Sequence, residues 1–154
     1  MEYLVVKWLH ILSSTLLFGT GLGSAFYMFF ASLTRDARVV ATVVRYVVIA
    51  DYAFTTPAII LQPATGLYLV QLAGFPLDST WIAVSVALYF LAGAAWLPVV
   101  WMQIKMRDMA IAANANGTEL PQRYWQFLRA WVALGIVAFV ALVVVFYLMV
   151  TKPA

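Results

Sequence analysis

Residues 130–151 read AWVALGIVAFVALVVVFYLMVT, without one charged side chain. At about 1.5 Å of helical rise per residue the stretch is about 30 Å long, the thickness of a bilayer's hydrocarbon core. Three more stretches lack Asp, Glu, Lys and Arg over a similar length: Trp8–Thr34, Tyr52–Leu77 and Ser79–Ile104. The apolar runs are continuous rather than alternating, which excludes a membrane barrel. An open sheet would leave unpaired edges in lipid. The 154 residues are 66% hydrophobic and 10% charged, against roughly half and a quarter in soluble domains. A water-soluble fold of this size has too little polar surface to cover such a core. The sequence therefore predicts an all-α, integral membrane four-helix bundle. It is one transmembrane domain over 1–154, with spans at about 4–31, 47–71, 79–105 and 125–150.

Local signals punctuate these spans. Thr34-Arg35-Asp36 ends the first, and Gly74-Phe75-Pro76 closes the second. Asp78 or Ser79 can cap the third, with Trp81 at interface depth. Asn114-Ala115-Asn116-Gly117 reads as a loop, and Pro121 suits the first turn of the fourth helix. The first span is about twice as long as a signal-peptide core and lacks an A-x-A-like site, so it is expected to stay in place.

Charge gives the orientation. Of the nine basic residues, seven (Arg35, Arg38, Arg45, Lys105, Arg107, Arg123, Arg129) fall beside the first and third connections, and two (Lys7, Lys152) beside the opposite ends. The positive-inside rule then puts both connections in the cytoplasm and the N and C termini on the extracytoplasmic side. The basic residues are spread over helix ends, so the net charge of +3 is no nucleic-acid footprint. With no cysteine, disulfides, thiolate metal sites and cysteine nucleophiles are excluded.

Function must lie in the few polar residues of the spans, which face a bundle's interior because lipid penalises them. At 100° per residue, Ser14, Gly21, Ser24 and Met28 fall within about 40° of His10. Small residues there also suit close helix packing. Thr55, Ala58, Gln62 and Thr65 share a face with Asp51, and Pro57 and Pro63 free carbonyls beside it. Asp51 is the costliest residue of the chain, although it also sits where a side chain can snorkel toward the interface. Arg45 is near but not on its face. Ser85, Tyr89, Ala92 and Trp96 line one side of the third span, whereas the fourth reads as an aliphatic, lipid-facing wall.

By depth, His10, Gln62, Thr65, Ser85, Tyr89 and Met149 converge in the outer half; Asp51, Gln103 and Arg129 belong to the cytoplasmic half. The expected site is an outer-half polar pocket around His10, built from His10, Ser14, Gln62, Tyr89 and Met149. As the sole histidine, His10 is the candidate ligand for a haem iron, with an open position, with Met149, or with His10 of a second copy. The alternative is a histidine hydrogen-bonded to Ser14 or Gln62. Ser13 and Ser14 have no acid at their depth, so a hydrolytic triad is disfavoured, and no catalytic residue is assigned.

The segments Lys7-x-x-His10, Pro57-Ala58 with Thr65-Gly66, Trp81, Arg129 and the closing Met149-Val150-Thr151-Lys152-Pro153 resemble an uncharacterised bacterial family of four-helix integral membrane proteins, over nearly the whole chain. More distantly they are similar to HemJ-type protoporphyrinogen oxidases and CopD-type copper-resistance membrane proteins. The HemJ resemblance implies haem b, with His10 matching the first-helix histidine. The third-helix Lys and His and the fourth-helix Asn-Glu pair of HemJ-type proteins are missing, so the oxidase activity does not follow. The resemblance implies a multi-pass protein of the bacterial inner (plasma) membrane. Three roles stay open: a protein binding haem b or a small apolar ligand for electron transfer or in an accessory capacity; a non-enzymatic subunit or scaffold, as a homodimer or with a membrane-complex partner; and a dimeric transporter.

Overall fold

The computed structural model describes residues 1–153 and contains, among them, four long helices and no strand. Helix α1 spans Glu2–Leu33, α2 Ala37–Ala73, α3 Thr80–Asn116 and α4 Gln122–Thr151. Each is long and apolar enough to cross a membrane, as the sequence predicts. The connections are short. Asp36 caps α2 by accepting from the Arg38 and Val39 amides at 2.8 and 3.3 Å. Gly74 (φ +69°) and Gly117 (φ +62°) end α2 and α3 in the left-handed conformation that glycine adopts without strain.

Two helices run further than the apolar stretches suggest. Helix α2 begins ten residues before the expected span at 47, and its first turns bury Val40, Ala41, Val44 and Val47 while Arg38 and Arg45 stay exposed. Helix α3 continues through Asn114–Asn116, which the sequence reads as loop. Met106, Ala110 and Ala113 recur at helical spacing and are buried, so packing overrides the loop-forming asparagines. Helices α2, α3 and α4 thereby build a tight core at the end of the bundle that carries the first and third connections. Met28, Val40, Val44, Met102, Met106, Tyr124 and Leu128 fill it. Tyr124 is fully buried there. Because Ser32 donates to the Met28 carbonyl, the Tyr124 hydroxyl donates to Ser32 at 2.6 Å and fastens α4 to α1.

Beyond that core the packing loosens. Helices α3 and α4 pair along their length and α1 packs on the second half of α2, but α1 and α4 touch at only a few points. The opening between them faces the surroundings of the bundle.

Candidate functional site

Helix α2 changes pitch where it leaves the core. Asp51–Thr55 form a single π-helical stretch, and the Thr56 amide and hydroxyl both donate to the Asp51 carbonyl. Pro57 follows at once and has no N–H to give to the preceding turn, which favours the wider register. The Asp51 and Thr55 side chains end up buried on one face, joined by a 2.9 Å hydrogen bond from the threonine hydroxyl to Oδ1. Nothing in the apolar pattern announces the π stretch; Pro57 beside a Thr55-Thr56 pair is its one sequence trace.

The polar residues of the membrane-spanning segments fall into two groups. The first surrounds His10. Gln62 reaches from α2 to α1, its Nε2 donating to the His10 carbonyl at 2.7 Å and to Ser13 Oγ at 2.5 Å. Thr65 Oγ1 gives its hydrogen to the Leu61 carbonyl at 2.6 Å. His10 Nδ1, 2.8 Å from the same oxygen, must therefore be the donor, which in a neutral ring leaves the lone pair on Nε2. Gly66 gives the imidazole its place: a Cβ there would stand 3.2 Å from His10 Cε1. Ser13, not Ser14, completes the group. Ser14 is turned aside and bonds the Ile11 carbonyl of its own helix. Met149 lies exposed on α4.

The second group borders a cavity of about 510 Å³ lined by all four helices. On α1 its lining runs from Leu17 to Phe30, so it begins about 10 Å deeper along the helix than His10. The cavity's place thus differs from the expected one: His10, Ser14, Gln62 and Met149 do not line it, whereas Asp51, Thr55 and Tyr89 do. Its walls are almost wholly apolar. Exposed Leu22, Phe26, Phe29 and Phe30 flank the gap between α1 and α4, and Phe18 stacks on Phe139 at 5.2 Å to bridge that gap nearer the termini. Tyr89 crosses from α3 and donates to the Ile59 carbonyl at 2.5 Å, the one that Pro63 leaves without its helical N–H.

Three polar atoms at the cavity have no partner within the protein: Asp51 Oδ2, Gln103 Oε1 and Trp131 Nε1. Their residues are only 4%, 3% and 5% exposed. Arg45 and Arg129 point outward and do not pair with Asp51; the one ion pair among the described residues joins Arg107 to its neighbour Asp108. Depth alone assigns Gln103 to this half. Trp131 reads in the sequence as interface aromatic, and only the fold reveals its N–H turned inward. The described residues hold no cluster of three His, Asp or Glu side chains suited to a metal ion.

Comparison with known proteins gives one result. A family model described as "Predicted integral membrane protein (DUF2269)" matches residues 4–153. No curated protein and no solved structure matches the chain.

Proposed function

The chain belongs to the DUF2269 family of predicted integral membrane proteins, and from that premise we propose that it binds a small apolar ligand from the bilayer in the cavity between its four helices, in an accessory rather than an enzymatic role. The observation that carries the reading is the cavity itself: about 510 Å³, apolar-walled and flanked by the α1–α4 gap. Ligand sites are commonly concave, mostly apolar and provided with a few polar groups. A lipophile dissolved in the membrane reaches such a site laterally, without crossing water. Placement in a bacterial inner membrane, with both termini extracytoplasmic, agrees with the seven basic residues beside the connections.

Gly135 provides the test. It lines the cavity, and a Cβ there meets nothing within 4 Å. A side chain added there starts in open space, and Gly135→Phe is chosen to occupy the cavity. Tryptophan emission of the purified protein should be quenched saturably by 1-bromododecane, through Trp96 and Trp131 in the cavity wall, and Gly135→Phe should abolish the saturable part. Identical, non-saturating quenching in both proteins overturns the reading.

Haem b is a less well served ligand. The cavity wall contains no histidine, cysteine or methionine. Iron at His10 Nε2 would sit outside the cavity, with a second copy supplying the opposite ligand. The expected absorption spectrum therefore lacks a Soret band.

One observation favours the scaffold alternative alongside ligand binding. A Cβ at Gly19 or Gly23 would touch nothing within 4 Å and neither residue lines the cavity, so this side of α1 is unused by the chain's own packing and is open to a partner helix. Crosslinking in native membranes should recover a homodimer or a larger membrane complex; a monomer alone removes the alternative.

A further inference from the structure

We propose that Asp51, Gln103 and Trp131 form the head-group end of the cavity and select a lipophilic amine, specifically a single-chain amphiphile with a protonated amine and a nearby oxygen. The inference rests on the cavity being a ligand site and adds what that ligand must carry.

Burial makes the three unpartnered atoms informative. A hydrogen-bonding group left unmet in an apolar interior is costly, and native structures leave few of them. Here three such groups border one cavity, from three different helices. Ser85 Oγ, the other unpartnered side-chain atom, does not line it.

The chemistry of the three is complementary to one kind of head. The Thr55 hydroxyl already donates to Asp51 Oδ1, and no lysine or arginine neutralises the acid. Oδ2 and Gln103 Oε1 are both acceptors, suited to two N–H bonds from one ammonium. Trp131 Nε1 is a donor only, and an oxygen near the amine satisfies it. An intramembrane acid without a basic protein partner is by default a candidate counter-ion for a ligand.

Depth agrees with this polarity. Gln103 and Trp131 lie two residues inside Lys105 and Arg129, about 3 Å along their helices, and Asp51 lies six residues inside Arg45, about 9 Å. The polar end therefore sits just within the ring of basic residues. The apolar remainder of the cavity runs from there toward Leu17, Phe18 and Leu142, giving a tail its direction.

The experiment compares three single-chain probes on the detergent-purified full chain: N-dodecylethanolamine, dodecanol and dodecanoate. Each competes for the saturable 1-bromododecane quenching. A charge-assisted hydrogen bond contributes enough to bring the amine to at least about tenfold tighter binding than the alcohol. Asp51→Asn should erase that preference by weakening the amine far more than dodecanol, and Gln103→Leu should reduce it, providing a second variant should the first fold poorly. Equal binding of amine and alcohol to the unsubstituted protein, or a preference for dodecanoate, overturns the head-group assignment while the cavity reading stands. If none of the probes competes, the cavity reading falls and the assignment with it.

Discussion

The His10 group and the Asp51 group are both polar clusters within the membrane-spanning helices, but they are finished differently. Around His10 the protein supplies its own partners: Gln62, Thr65 and Ser13 meet one another across α1 and α2, and Gly66 makes room for the ring. Around Asp51 the protein stops short, leaving a carboxylate oxygen, an amide oxygen and an indole N–H without a partner in residues that line the cavity. A saturated cluster holds helices together, whereas an unsaturated one spends stability to remain receptive. On the proposed reading the more recognisable residue, the sole histidine, belongs to the fastening, and the acid belongs to the site.

The comparison breaks most sharply at Gly66. A valine there pushes carbon atoms against His10 Cε1, and α1 must move or the ring must leave Thr65. Overpacking of this kind costs about 1–3 kcal/mol. Gly66→Val should lower the midpoint of unfolding in mixed micelles by that amount, while the saturable quenching of the folded fraction persists. Asp51→Leu is expected to act in the opposite direction. It removes a buried acid with one unmet oxygen and fills space, so stability should rise by about 1–2 kcal/mol. The same unfolding titration measures it. A stability loss at Asp51→Leu would show that the acid is a fastening too, and the contrast between the clusters would disappear.

The sequence reveals the first cluster better than the second for a physical reason. Four apolar lengths and the lipid constraint yield the four helices, and 100° periodicity puts Asp51, Thr55, Gln62 and Thr65 on one face of α2, whereas the structure divides them between the cavity and the α1 contact. That periodicity chooses Ser14 over Ser13 by angle alone, but it cannot say where along α1 the partner helix sits; the contact falls at Ser13. The cavity is less legible still. It exists because α1 and α4 diverge, and divergence is a property of pairs of helices rather than of either sequence. Trp131 appears as one more interface aromatic until α4 is docked on α3. The π stretch at Asp51–Thr55 shifts register by one residue, a change that no 3.6-residue pattern registers.

The smallest effect tests how the two regions are joined. Tyr89 lines the cavity, yet its hydroxyl serves the backbone of α2, donating to the carbonyl that Pro63 strips of its N–H. If that repair is its role, Tyr89→Phe alone should cost about 0.5–1.5 kcal/mol, the net worth of one hydrogen bond. In a Pro63→Ala background the helix supplies an N–H to Ile59, so the same change should cost measurably less. A double-mutant cycle on the unfolding midpoint isolates the coupling between the two positions. Zero coupling would mean that the tyrosine hydroxyl is not tied to the proline's missing donor, and would return Tyr89 to the cavity as a further polar group for the ligand.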